Sequence, residues 1–151
     1  MQTRNGDFYE VTVRYDQLQE NGGLKKVTEV FSIDALSFSE AESRMVSELK
    51  VYAESYQNYE VKAIKKAAYK EVFFSEDDAI KYYNATLSFI TINEKTNKEK
   101  CSNVNYLVMA TSLKAAIKHI DEVMGRTMID YESVAIKESK VVDVFMHDDN
   151  D

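Results

Sequence analysis

Residues 59–65 read Tyr-Glu-Val-Lys-Ala-Ile-Lys, and residues 131–137 read Tyr-Glu-Ser-Val-Ala-Ile-Lys. Further on, Val72-Phe73 stands against Val144-Phe145; upstream, Ala35-Leu36-Ser37-Phe38 stands against Ala110-Thr111-Ser112-Leu113. Chance supplies one such match readily, but three in the same order and at nearly the same separation point to one unit written twice, an ancient duplication. The seam between the copies falls at Ser75-Glu76-Asp77-Asp78.

Working outward from the repeat, each copy spells strand, strand, helix, strand. Tyr9, Val11, Val13 and Tyr15 alternate with Glu10, Thr12 and Arg14, the period of a half-buried strand. Asn21-Gly22-Gly23 then tolerates the positive φ of a turn, and Val27, Phe31 and Ile33 continue on alternate positions, which predicts a hairpin. Ser37-Phe38-Ser39-Glu40 forms a capping box, followed by Phe38, Ala41, Met45, Leu49 and Tyr52 at helical spacing with Glu42, Arg44 and Glu48 outward. From Tyr59 to Phe73 the period returns to two, predicting one long strand with Tyr59, Val61, Ala63, Ala67, Tyr69 and Phe73 on one side.

The second copy follows suit. Tyr83, Ala85, Leu87 and Phe89 alternate, a polar stretch runs from Asn93 to Lys100, and Val104, Tyr106 and Val108 alternate again. Ala116, Ile117, Ile120, Val123 and Met124 recur at helical spacing, with Gly125 where a left-handed C-terminal cap would sit. The expected fold is therefore α+β: tandem ββαβ units over residues 1–75 and 76–146, antiparallel sheets each carrying one helix. The units would share one compact fold about a pseudo-twofold axis, with residues 147–151 an acidic disordered tail.

Composition excludes several classes. A chain of 151 residues with 44% hydrophobic and 30% charged residues can build a sizeable core. A net charge of −7 argues against a protein that coats duplex DNA, though a local basic patch is compatible with it. Cys101 is the single cysteine, so neither an internal disulfide nor a cysteine-based zinc site can form, and a reducing compartment is expected. The start carries no apolar signal segment and no later run approaches the ~20 apolar residues of a membrane span, so the expected location is the cytoplasm, the host's if a phage encodes the chain.

Ser32-Ile33-Asp34-Ala35-Leu36-Ser37-Phe38-Ser39-Glu40-Ala41-Glu42 resembles a family of small proteins from bacteria and their phages, domain-of-unknown-function family 4494. The signature is a strand running into a capped helix. The resemblance covers most of the chain and implies a phage or mobile-element gene product, but transfers no functional residue.

Lys62, Lys66 and Lys70 share one face of the expected long strand, with Lys65 and the hairpin residues Lys25 and Lys26 nearby. They form the best candidate nucleic-acid patch, with Tyr69 or Tyr59 to stack on bases. Strand parity puts the tyrosines on the opposite face, and a lysine-guarded edge strand accounts for the same residues. In the second copy Val134, Ile136, Val142 and Val144 occupy the corresponding face, opposite Ala135, Val141 and Phe145, so both faces are apolar. Such a strand is central in a sheet or covered by another subunit, which makes these residues the candidate interface; the units' helices covering it within one chain is the alternative.

The remaining features read as structure. Ser37 caps a helix and has no Gly-x-Ser-x-Gly elbow; Glu40, Glu42, Asp77 and Asp78 suit helix starts. Gly22-Gly23 precedes no phosphate-loop or dinucleotide fingerprint. His119 is placed on the polar side of the second helix, and His147-Asp148-Asp149-Asn150-Asp151 lacks the spacing of a calcium loop. No catalytic residue, metal or cofactor is expected. The leading expectation is a non-enzymatic, homo-oligomeric interaction protein whose partners are itself and another protein. The alternatives are a single-stranded nucleic-acid accessory factor in phage DNA metabolism, and a small-ligand or anti-defence protein with its pocket where the repeats meet.

Overall fold

The computed structural model describes residues 2–51, 57–75 and 81–147. Tyr52, Asp77, Asp78 and the acidic 148–151 stretch lie outside them. The class is α+β, and the described residues fall into two compact units, one drawn from residues 6–67 with 140–147, the other from 2–5 with 68–139. These spatial units are not the sequence halves. The chain passes from one to the other after Asn5, after Ala67 and after Ser139.

The first unit rests on the hairpin of β2 (Phe8–Leu18) and β3 (Leu24–Asp34), antiparallel from Phe8↔Asp34 to Leu18↔Leu24. Its turn uses Gly22 at φ 84, and the Gly23 amide donates to the Asn21 side chain at 2.8 Å. Tyr9, Val11, Val13, Phe31 and Ile33 are buried on one face, as their alternation requires. They meet Ala41, Met45 and Leu49 of helix α1 (Phe38–Val51). Each buried Val, Ile, Leu, Met or Phe among them contributes about 1.5–3 kcal/mol on leaving water.

At the start of helix α1 the Glu40 amide donates to Ser37 Oγ, as the capping box predicts, while Glu40 Oε2 accepts from the amide of Leu36, one residue before the cap, both at 3.1 Å. Arg44 ties the helix to the end of β3 by donating to Asp34 Oδ1 at 2.6 Å and to the Asp34 carbonyl. The His147 amide donates to the same Oδ1 at 2.8 Å.

Strand β4 (Gln57–Lys66) pairs antiparallel with β2. The expected strand from Tyr59 to Phe73 does not run through. The Ala67 amide donates to the Phe8 carbonyl at 2.9 Å, closing the β4 side of the sheet. After Lys70 a new strand, β5 (Glu71–Phe74), belongs to the other unit.

There the hairpin of β6 (Lys81–Asn93) and β7 (Lys98–Ala110) carries helix α2 (Leu113–Met124), and β8 (Tyr131–Glu138) pairs antiparallel with β6. Ser112 caps α2 by accepting from the Ala115 amide at 3.1 Å. Ala116, Ile120 and Met124 pack on Tyr83, Ala85, Leu87, Tyr106 and Val108. Gly125 is right-handed, at φ −61, because the turn continues: the Thr127 amide donates to the Met124 carbonyl at 3.0 Å, and the left-handed residue is Met128.

The last strand, β9 (Val141–Phe145), returns to the first unit. Thus β5 follows β4 yet runs parallel to β7, and β9 follows β8 yet runs parallel to β3. The registers correspond under the sequence repeat: Val72↔Leu107 and Phe73↔Val108 on one side, Val144↔Ser32 and Phe145↔Ile33 on the other. Phe145 stacks on Phe31 at 5.5 Å between centroids, and Phe73 packs tilted against Tyr106 at 4.9 Å. Both sheets are consequently mixed rather than antiparallel, with orders β4-β2-β3-β9 and, counting Gln2–Asn5 as β1, β1-β5-β7-β6-β8. Strand β1 (Gln2–Asn5), which no periodicity announces, pairs antiparallel with β5.

Candidate functional site

Because the sheets are open, their edges are the features with unmet backbone bonding capacity: β4 and β9 in one, β1 and β8 in the other. Lys62, Lys66, Val134, Ile136, Val142 and Val144 lie on these edges, and the structure sorts the candidates differently from the sequence.

The lysines do not form one patch. On β4, Ala63 faces Thr12 and Val61 faces Val13, so Lys62 is the extra residue of a bulge. The bulge shifts the phase: Lys65 lies beside Glu10, 3.6 Å away, and Lys66 faces Tyr9. Lys62 itself pairs with Glu60 at 3.1 Å. Lys70 lies past the break, in the other unit. Lys25 faces Gln17 at the far end of the sheet from Lys66, roughly 26 Å away over eight residues of β2 at ~3.3 Å each.

Lys26 sits 3.6 Å from Asp16, whose carboxyl also accepts from the Asn58 amide at 3.1 Å. The Asn58 bond, helped by the Lys26 charge, holds that carboxyl below the usual carboxylate range. Tyr69 is 2% exposed and has no face to offer a base.

The apolar candidates also separate. Val134 and Ile136 belong to β8, Val142 and Val144 to β9, and both are edge strands rather than one central strand. Both faces looked apolar because bulges reset the alternation. Thr86 faces Ala135 and Leu87 faces Ser133, leaving Val134 as the bulged residue, 58% exposed. Val142 is skipped between Val30↔Val141 and Phe31↔Asp143 and is 44% exposed. Ile136 packs on the cluster beneath α2, and Val144 is half-buried opposite Ser32. Lys62 and Val134 thus hold the same place in the repeat, at the same bulge.

Of the two histidines, His119 is buried, not on the polar side: Nδ1 lies 3.1 Å from the Met109 carbonyl oxygen. Its spacing of three from Ala116, next to Ile120, was the available signal. Tyr131, at the start of β8, donates its hydroxyl to Asp121 of α2; desolvation, that bond and the Asp121 charge push its pKa up to about 12. An open groove along α2 is lined by Ile117, Lys118, Asp121 and Glu122 among others. Among the described residues no three His, Cys, Asp or Glu side chains gather as metal ligands, and no helix is long and apolar enough to cross a membrane.

The sequence model of the family described as "Domain of unknown function (DUF4494)" matches residues 7–147, from β2 through β9, and the chain belongs to that family. No curated protein and no solved structure matches the chain.

Proposed function

We propose that this family member is a non-enzymatic interaction protein that assembles with itself and engages a further protein through its open sheet edges, in phage or mobile-element growth. The observation that carries this reading is the exposure of Val134 at the bulge of the eight-residue edge strand β8. An edge presents unpaired amides and carbonyls, and natural sheets ordinarily blunt it with lysine or with very short strands. An apolar residue held out on such an edge invites an added strand, whose main chain supplies affinity while side chains supply selection.

Light scattering on the full chain at tens of micromolar tests the reading. The expected mass is a multiple of 17.4 kDa. A strict monomer at that concentration refutes it.

A further inference from the structure

Resting on that homo-oligomeric reading, we infer that β8 pairs antiparallel with β8 of a second copy, with the twofold axis between Val134 and Ala135, so that Glu132 of each copy meets Lys137 of the other. Among the described edge strands, β1 has four residues and β9 five, too short to support much pairing. That leaves β4 and β8, which share a frame and a bulge but differ in what stands at it.

The register follows from the bulge. Tyr131, Ser133, Ile136 and Glu138 face Phe89, Leu87, Ala85 and Tyr83 on the helix side of the sheet; Glu132, Ala135 and Lys137 face Ser88, Thr86 and Asn84 on the other. Directly opposed residues of an antiparallel pair point to the same side. In a regular strand that forbids pairing 132 with 137 about a dyad, because odd and even positions lie on opposite faces.

The slip at Val134 moves the second half of β8 by one residue. Tyr131 against Glu138, Glu132 against Lys137 and Ser133 against Ile136 then all agree in face. Moving the axis half a residue either way sets helix-side residues against the opposite face. The register in phase along the whole strand is therefore the one that joins opposite charges twice. Among the described residues neither Glu132 nor Lys137 is engaged in an ion pair within the chain.

Strand β4 shows what prevents the same pairing. An equivalent axis would set Glu60 against Lys65, but Glu60 is held by Lys62 at 3.1 Å and Lys65 lies by Glu10 at 3.6 Å. The two Lys62 ammonium groups would also meet at the axis, with Lys66 adding further positive charge. Val134 removes that repulsion from β8.

The test is sedimentation equilibrium on the full chain. Wild type is expected to dimerise, and Val134→Lys, which copies the β4 arrangement, should weaken the dimer at least tenfold. Glu132→Lys and Lys137→Glu should each weaken it similarly, since each places like charges opposite one another twice. The double variant E132K/K137E should restore assembly to near wild type, and circular dichroism should show every variant folded. A double variant no better than the singles overturns the proposal. An oligomer indifferent to all four changes overturns this pairing while leaving the homo-oligomer reading standing; a strict wild-type monomer overturns both.

Discussion

Phe145→Ala tests the strand exchange, because Phe145 lies at the end of the chain yet supports its beginning. Its ring stacks on Phe31 at 5.5 Å with 26° between planes, and it packs on the cluster under α1. Removing a fully buried Phe side chain costs about 3–5 kcal/mol; Phe145 is half-buried, so about 2–3 kcal/mol is expected. Phe73→Ala, at the corresponding position and 0% exposed, should cost the full 3–5 kcal/mol.

Urea denaturation gives the totals, but two units need not unfold as one transition, so location matters more. Amide hydrogen exchange supplies it. For Phe145→Ala, protection should fall most at β3 and β2, around Ser32 and Ile33, which face Val144 and Phe145. For Phe73→Ala it should fall most at Leu107 and Val108. If Phe145→Ala instead loosens β6 and β8, which lie nearer in sequence, or costs less than about 0.5 kcal/mol, the exchanged arrangement is wrong.

Other outcomes follow from individual contacts. Ser37→Ala and Ser112→Ala each remove an oxygen that accepts from a first-turn amide at 3.1 Å, and each should cost about 1 kcal/mol by thermal or urea melts. Arg44→Ala removes a partly shielded charge-assisted bond to Asp34 and should cost about 1–2 kcal/mol in urea, with Arg44→Lys recovering only part, since an ammonium does not reproduce the guanidinium's geometry. The fold favours the neutral Tyr131 phenol, raising its pKa to about 12 from 10.0. Its stabilisation is therefore full below pH 10.0 and lost as pH rises towards about 12, and Tyr131→Phe should flatten that part of a stability–pH curve.

Much of the frame was legible because local chemistry announces it. Tyr9, Val11, Val13 and Tyr15 alternate, and all four are buried. Ser37 and Ser112 sit three residues before the amides they accept. The pairing of the last strands was not legible: alternation reports that a face is buried, never which strand lies alongside. Val72-Phe73 matches Val144-Phe145 whether each completes its own unit or the other one. The bulges were hidden for a related reason, since a single extra residue at Lys62 or Val134 reverses every later face assignment, and nothing in those side chains marks it. Hence Lys62 and Lys66, which share a parity in sequence, are put out of phase by the bulge at Lys62. Strand β1 was silent because Thr3, Arg4 and Asn5 carry no apolar period and are placed by pairing with Phe73, Val72 and Glu71.

The bulge is also where the two units can differ at least cost to the fold. A bulged residue faces no partner across the ladder and is exposed, so Lys62 and Val134 contribute little burial to their own units. Exchanging Lys for Val at either place should change folding stability by no more than about 0.5 kcal/mol, the usual range for surface positions. Stability therefore does not account for which residue stands there. Solubility would favour lysine at both, because a charge at the middle of an edge strand deters pairing with another chain. Strand β4 follows that rule and β8 breaks it while keeping a bulge at the corresponding residue and the same flanking Glu and Lys, each strand packing with its own unit's helix, α1 or α2. Of the three differences along these strands, Val61 against Ser133, Lys66 against Glu138 and Lys62 against Val134, the last stands at the middle of the edge, and the proposed pairing of β8 rests on it.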